Sequence, residues 1–585
     1  KSYKKKMKRR NFLKAVSAGG ALMIASPELK SMSQINASGR VSVLSHEEVL
    51  KADIVVIGGG LGGVASALSA VKNGKKVILT EETDWLGGQL TQQGVPPDEN
   101  RWIEHTGATK MYRDFRNRIR EYYKKNYPLK EEVRNNPYFN PGNASVSRLC
   151  HEPKVALSIL HEMLAPYVSS GRLTVLYHYK AVKSSVQQDR VEDVTVKNSI
   201  TGEVKILTAP YFIDATELGD LLPLTGTEFV TGMESKKETG ELHAPEVGDA
   251  DNVQAFTMCF AVDYLPNEKH IISKPRDYDF WRSYTPSLKQ PWSGRLLDLH
   301  YSNPRTLEKK ALCVDPTDKG CGDIFNLWTY RRIIDKNNFE KGFYQSDISL
   351  VNWPQNDYFL GNLIGASEKD FQKYVEGGKQ LSLSLLYWLQ TEALRPDGGT
   401  GWPGLRLRKD ILGTSDGLAK YPYVRESRRI KAVFTVKEEH VGRDNRALVA
   451  LLDKEKAAFF QDSVGIGYYP IDLHPTTGMQ NYIDMDALRF QIPLGALLPV
   501  RMKNLIPVNK NIGTTHITNG CYRLHPVEWN IGEATGLLLS FSLDNNYTPH
   551  QVRAEKRILN DFQSVLRSQG VETGWPSEEE LNKIR

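Results

Sequence analysis

Cysteine is scarce in this chain: five in 585 residues (Cys150, Cys259, Cys313, Cys321 and Cys521), with no CxxC pair among them. That leaves no basis for a metal cluster or a dithiol redox centre. Cys313 and Cys321 are placed to pair in an oxidising compartment, although the seven residues between them set no geometry. The histidines form neither an HxH nor an HExxH spacing, so no metal site is expected. Long apolar runs are missing too. None reaches the ~20 residues of a membrane-spanning helix, so no membrane span is expected. The formal net charge of +7 does not describe the body of the protein, because the first fourteen residues hold eight lysines or arginines and no acid. The remainder has 68 basic residues against 69 acidic ones. A nucleic-acid surface is therefore excluded, since it would carry its basic excess on the folded body. With 40% hydrophobic and 25% charged residues and no internal repeat, the chain reads as a large globular protein of two or three compact units.

What is present is a short apolar strand, Asp53 to Ile57, running into the glycine-rich turn Gly58 to Gly63 and then a helix-competent run, Val64 to Val71. Gly58 permits the tight turn, Gly60 lets the backbone approach a pyrophosphate, and Gly63 allows the helix to pack on the strand. The helix N-terminus offers free N–H groups to phosphates. A second strand, Lys76 to Thr80, ends at Glu81, at roughly the 20-residue spacing expected of a carboxylate that accepts from a ribose hydroxyl. Strand, turn, helix, strand and acid in that order predict a dinucleotide site.

Later segments narrow the nucleotide. Asp84 to Leu90 resembles the extra pyrophosphate-contacting segment of flavoproteins of the glutathione-reductase-like class, which implies cofactor contacts at Gly87, Gly88 and Gln89. Tyr211 to Asp220 is similar to the strand followed by Ala-Thr-Gly in that class, with Ala215 and Thr216 as implied contacts. Glu217 stands where glycine is commoner, and the turn is expected to differ there because Glu does not take a positive φ as cheaply. Asn504 to Asn509 reads as a strand, Asn511-Ile512-Gly513 as the turn after it, and Val527 to Phe541 as a helix. Its first turn carries Glu528 and Asn530, with Gly532 close behind. In such flavoproteins the last helix aims its N-terminus at the flavin, which implies that Asn511, Gly513, Asn530 and Gly532 lie near FAD. With residues 94–99, 147–153, 423–430, 469–475 and 523–534, the order of motifs from about 50 to 545 resembles the bacterial FAD-dependent oxidoreductase family. That implies FAD and redox chemistry, but no particular substrate.

The fold class expected is α/β: a Rossmann-like, glutathione-reductase-like FAD-binding domain interrupted by an inserted mixed α+β substrate domain. The division expected is an export signal and linker (1–40), a first FAD part (41–224) with a helical insertion (105–149), a substrate domain (225–490), a last FAD part (491–547) and a C-terminal helix (548–585). The insertion, helical from Thr109 to Lys125, is expected to cross the active-site mouth. Residues 173–213 read as a meander covering the adenosine half. The second formal GxGxxG match, Gly399 to Gly404, follows Arg395-Pro396-Asp397 instead of a strand and contains Pro403, so it reads as a loop. No NAD(P)H domain is then evident. The electron acceptor is expected from solution, whether oxygen, a quinone or a carrier protein.

Hydride transfer at flavin N5 needs a proton acceptor and groups that orient the substrate. His474, in Asp472-Leu473-His474-Pro475, leads as the base; His516 and His525 flank the flavin-proximal loop, and Arg523 is expected to hold a carboxylate or to stabilise anionic flavin. The dense run Arg425, Glu426, Arg428 and Arg429 reads as a site or as a structural ion-pair cluster. Cys150 reads as a buried structural thiol in preference to a covalent flavin attachment point. The expected partner is a small polar organic substrate, with sugars or hydroxy acids in view. The rival reading is a flavin-bearing electron relay with no substrate of its own. Arg9-Arg10-Asn11-Phe12-Leu13-Lys14, followed by the apolar run Ala15 to Ala25, has the pattern of a twin-arginine export signal, so a periplasmic or extracellular location is expected, the alternative being a basic tail on a protein that stays in the cytoplasm.

Overall fold

The computed structural model describes residues 48–289, 292, 294–450 and 453–584; the segment with Arg9 and Arg10 lies outside them. Five strands, β1 (Ile54–Ile57), β2 (Val77–Glu81), β3 (Leu173–Tyr177), β4 (Tyr211–Asp214) and β5 (Leu505–Pro507), form one sheet in the order β5-β4-β1-β2-β3, with every neighbouring pair parallel. A parallel sheet covered on both faces needs apolar residues on both sides of each strand, which is why Ile54-Val55-Val56-Ile57 is a continuous apolar run. Ile54, Val56, Val77, Leu79 and Ile213 join the core under the helices. Val55, Ile57, Ile78 and Phe212 pack instead on a second sheet. That sheet, ordered 48–51, 204–208, 190–198 and 179–187, is the expected meander with one correction. Residues 173–177 and 211–214 belong to the parallel sheet, where Val77 pairs with Leu173 and Ile54 with Tyr211.

The helical face is built from α1 (Leu61–Lys72), α2 (Lys110–Asn126) and α3 (Pro153–Ser169), with contributions from the C-terminal part of the chain. Thr109 caps α2 by accepting from the Tyr112 N–H at 3.1 Å, and one face of α2, with Tyr112, Phe115, Ile119 and Tyr123, is buried. Its buried Arg116 and Arg120 reach back to Glu99 (2.8 Å) and Glu104 (2.6 and 2.7 Å), which anchors the loop beginning at Asp98.

The second core lies in the middle of the chain and gathers Trp281, Trp292, Trp328, Trp353, Trp388 and Trp402. It packs on α4 (Glu368–Thr391) and an antiparallel sheet ordered 332–334, 348–351, 260–264 and 405–407. Residues 399–404 are a turn, closed by the Leu394–Thr400 bridge and leading into that last strand. Cys313 and Cys321 form a disulfide, and Cys150 is a buried free thiol.

After β5 come α5 (His516–Tyr522) and α6 (His525–Asn545), the latter starting two residues before the expected Val527, so Asn530 falls in its second turn. α6 crosses α1 at backbone contact. A Cβ at Gly532 would lie 2.1 Å from the Gly62 carbonyl oxygen, and one at Gly536 would lie 2.4 Å from that of Ser66. Phe115 and Tyr112 of α2 pack on Trp529 of α6, with ring centroids 5.4 and 5.6 Å apart. The single C-terminal helix expected is broken at Glu555 into α7 (Pro549–Ala554) and α8 (Lys556–Ser568), followed by a short helix over Glu578–Lys583. Val552, Leu559, Phe562 and Leu566 are all buried.

Candidate active site

The glycine turn has the geometry its sequence asks for. Gly58 has φ +102°, a conformation costly for other residues, and a Cβ there would meet the Ala215 carbonyl oxygen at 2.3 Å. A Cβ at Gly63 would meet the Gly58 carbonyl oxygen at 2.3 Å, so α1 rests directly on the turn. No side chain caps α1, whose N-cap is Gly60, and its first N–H groups are available to an anion. Glu81 ends β2 with one carboxylate oxygen accepting from the Gly59 N–H (3.1 Å) and the other from the Thr83 N–H (2.7 Å). The Gly87-Gly88 segment folds onto this turn. Gly87 donates to the Gly59 carbonyl at 2.8 Å, and a Cβ at Gly88 would come 3.1 Å from Gly60 Cα. The two glycine segments thus form a cradle that any larger residue would fill.

Glu217 explains the departure seen in the sequence. It keeps a negative φ, and the left-handed residue of the turn is Gly219, at φ +66°. Its carboxylate reaches between the two glycine segments, 2.9 Å from the Cβ positions of both Gly60 and Gly88, and pairs with Lys510 Nζ at 2.5 Å. Lys510 is buried between Glu217 and Glu528 (3.7 Å). Burial works against its ammonium, but the two glutamates outweigh that and raise its pKa. Gln89 continues the chain of contacts, donating to Glu528 and to the Arg523 carbonyl (2.9 Å). Thr216 binds the Asp214 carboxylate through its hydroxyl (2.7 Å) and its N–H (3.0 Å), while Ala215 extends the sheet by donating to the Ile57 carbonyl (2.7 Å).

Several buried polar atoms around this cradle have no hydrogen-bond partner among the described residues: Gln89 Oε1, Glu217 Oε1, Asn509 Oδ1, Asp214 Oδ2 and Glu528 Oε1. Each such atom costs about 1–3 kcal/mol if nothing meets it. All five are oxygens that accept, so they call for donors such as the sugar hydroxyls of a dinucleotide, while its phosphates would fall to the uncapped N–H groups at the start of α1 beside a cradle without Cβ atoms. The remaining residues expected near FAD also make contacts within the protein. Asn511 ties strand ends together by accepting from the Asn509 N–H (3.0 Å) and donating to the Asp214 carbonyl (3.1 Å). A Cβ at Gly513 would meet Ala432 Cβ at 2.3 Å, Asn530 donates to the Val464 carbonyl (3.1 Å), and Gly532 forms the α1–α6 contact.

Burial pushes the Glu81 carboxyl up to about 8, and those of Glu528 and Asp214 up to about 7. The folded state therefore holds protons that the unfolded chain releases near pH 4. The stability these groups lend is complete below their unfolded values and is lost as the pH rises through about 7 to 8. The melting temperature of the cofactor-free protein is expected to fall between about pH 5 and about pH 8.5, and Glu81→Gln should flatten that fall. A melting temperature that rises over this interval would contradict the assignment.

Beside the head of α6 lies a cavity of about 300 Å³ whose charged lining includes Asp98, Arg331, Arg425, Asp472, His474 and Arg523. His474 Nδ1 lies 2.6 Å from Asp357 Oδ2, and its Nε2 lies 3.4 Å from Asp472 Oδ2. Asp357 is fixed by Arg425 (2.9 Å) and the Thr257 hydroxyl (2.7 Å). Against burial, Arg425 and His474 hold Asp357 below the usual carboxylate range; His474, Arg523 and Arg425 do the same for Asp472. Arg523 also donates to Tyr423 Oη at 2.7 Å. His525 is the first residue of α6 and is fully buried; its Nδ1 accepts from the Asp98 N–H at 3.1 Å. Burial lowers its pKa far below the ordinary value, so the ring is neutral and its proton sits on Nε2, which makes it a hydrogen-bond donor and not a proton acceptor.

The structure thus brings His474 and Arg523 together in the cavity, with His525 touching its Asp98 wall. His516 is elsewhere, opening α5 with Nδ1 2.8 Å from Glu426, which also binds Arg429 at 2.6 Å. Of the arginine-rich run, Arg425 faces the cavity, while Arg429 and Glu426 form a buried ion-pair cluster. α2 contributes no residue to the cavity lining, because its apolar face is spent on Trp529. Asp98, Arg331, Asp357, Lys510 and Gly62 were not singled out from the sequence. For Lys510 and Gly62 the available signal was position, one beside the Asn509–Asn511 turn and the other inside the first glycine run; for Asp357 there was none.

Two curated relatives match short segments. One is glutathione reductase of Schizosaccharomyces pombe, 48% identical over 50 residues, which are 8% of this chain and 11% of the relative. The other is an NADH oxidase of Thermoanaerobacter brockii, 36% identical over 75 residues, 12% of each. The chain therefore spans only about a tenth of the length of these relatives. Among solved structures, p-nitrophenol 4-monooxygenase PnpA from Pseudomonas putida DLL-E4 aligns over 92% of both chains at 10% identity, with a TM-score of 0.36. The family model described as FAD dependent oxidoreductase matches residues 53–566, nearly the whole of the described chain. With a cradle that fits the cofactor's phosphates and a match of that extent, this chain belongs to the FAD dependent oxidoreductase family.

Proposed function

We propose that the protein oxidises or reduces a small polar organic molecule in the cavity at the head of α6, by hydride transfer at flavin N5. The observation that carries this reading is the link between cavity and cradle: the Arg523 side chain lines the cavity, while its carbonyl accepts from Gln89, which follows the Gly87-Gly88 segment. FAD, when bound, supplies the hydride acceptor or donor. The chain supplies the rest. His474 has Nδ1 2.6 Å from Asp357 and presents Nε2 beside Asp472; the neutral ring would take the substrate proton there, and Asp472 at 3.4 Å would stabilise the imidazolium. Arg523 and Arg331 orient polar groups of the substrate, and the aromatic walls limit water. A concave, half-open cavity walled by tyrosines and Trp353 favours an enzyme over the electron-relay reading, which calls for a flat approach. Anaerobic bleaching of the bound flavin by sugars, polyols, amines and hydroxy acids tests it. Bleaching by one class is the expected result, and a flavin that dithionite reduces but no panel member does would favour relay.

Export belongs to the same proposal. The twin-arginine pattern at Arg9-Arg10 supports it, as does the Cys313–Cys321 disulfide, a bond that persists in oxidising compartments. In a host with the pathway, Arg9→Lys with Arg10→Lys is expected to leave the protein in the cytoplasm, because the pair is read by a receptor and charge alone does not replace it. Unchanged fractionation outside the cytoplasm would point to another route.

A further inference from the structure

We infer that the cavity takes a neutral polyhydroxylated substrate about the size of one sugar ring, in preference to a carboxylate-bearing hydroxy acid; the inference rests on the reading of this cavity as the substrate site. The argument begins with its charges. Every buried arginine of the lining already has a carboxylate: Arg331 has Asp98 at 3.4 Å, Arg425 has Asp357 at 2.9 Å, and Arg523 has Asp472 at 3.1 Å. Asp484, also in the lining, is matched by Arg305 at 3.4 Å, and Lys310 at the rim is exposed to water. An incoming carboxylate would have to separate one of these pairs and leave an aspartate buried and unpaired. Such a break weakens binding roughly 10²- to 10³-fold.

A hydroxyl has no such conflict, because it accepts from a guanidinium and donates to a carboxylate at once. The lining supplies both kinds of partner, with guanidinium N–H groups to donate and Asp472 and the tyrosine hydroxyls to accept. Aromatic rings complete the walls, with Tyr301, Tyr330, Trp353, Tyr423 and Tyr469 presenting apolar surface to the C–H faces of a ring. A volume of about 300 Å³ lies at the small end of ligand pockets, roughly 300–1,000 Å³. It suits one ring better than an extended chain.

In the oxidising direction one secondary or primary alcohol becomes a carbonyl. Its C–H bond breaks with the electron pair leaving as hydride to FAD, and the hydroxyl proton passes to His474 Nε2. The reverse direction returns both.

The test uses FAD-loaded protein under nitrogen and matched pairs: the methyl glycosides of glucose, galactose and mannose, each against its uronic acid counterpart. Shifts in the flavin spectrum and in tryptophan fluorescence give dissociation constants, and loss of flavin absorbance gives the reduction rate. The neutral member is expected to bind and bleach at least 10-fold better in each responding pair. Equal or better performance by the acids overturns the inference, as does a response confined to lactate- or malate-like acids or the silence of every neutral glycoside and polyol. Asp472→Asn supplies a second measurement, since it releases the Arg523 charge and should move the neutral-to-acid binding ratio at least 10-fold toward the acid. An unchanged ratio in a variant that still holds FAD overturns the charge argument. Failure of the underlying reading looks different: either no FAD is recovered, or no compound of any class, acids and amines included, perturbs the flavin.

Discussion

Gly60→Asp is expected to give a folded but colourless protein. A Cβ at this position would lie 2.7 Å from Asn509 Nδ2 and 2.9 Å from Glu217 Oε1, so a new carboxylate would be forced into the cradle between the two glycine segments. There it would meet the Glu217 carboxylate and the phosphates of FAD. Two like charges ~4 Å apart at an effective dielectric of ~20 repel by about 4 kcal/mol, roughly a 10³-fold loss of affinity. The measurement is the ratio of flavin absorbance to protein absorbance after gel filtration, with circular dichroism as the check on folding. Stoichiometric FAD in this variant would place the phosphates elsewhere.

The other large effect is at His474. His474→Ala should retain FAD, because the imidazole's partners are Asp357 and Asp472 and not residues of the cradle. Flavin reduction should slow by roughly 10²-fold or more, the usual contribution of a positioned proton acceptor. The deficit should shrink at high pH, where hydroxide or water replaces the imidazole, and stopped-flow traces across pH would record this. Loss of FAD in the variant would mark His474 as a structural residue instead.

The nucleotide half was legible because its chemistry is local. A glycine turn, the helix after it and the acid ending the next strand lie within thirty residues, and each answers to a backbone requirement visible in the residue type. Parallel strands buried on both faces likewise announce themselves as unbroken apolar runs, as at residues 54–57. The cavity was less legible because it is assembled across long separations. His474 meets Asp357 across 117 positions, and Arg331 meets Asp98 across 233. No spacing rule reaches that far, and His474 was noticed only for its polar turn. His516 misled for the opposite reason: it stands near Arg523 in sequence, but α5 turns it toward Glu426. Glu217 was flagged as an anomaly and is one, although its consequence falls on the cradle and not on the turn.

The contact between α1 and α6 sets how this enzyme can change. With Gly62 against Gly532 and Ser66 against Gly536, neither helix can slide or rotate without driving one main chain into the other. The first helix begins at the phosphate cradle and the second begins at the cavity, so the cofactor and the reacting end of the substrate share one ruler. Lineages that acquire new substrates are then confined to the other walls, the residues between 301 and 354 and those around 470–484 apart from Arg331, Asp472 and His474, which meet the cavity without touching that ruler. Diversity among relatives should be concentrated there, while the four small residues at the crossing stay small.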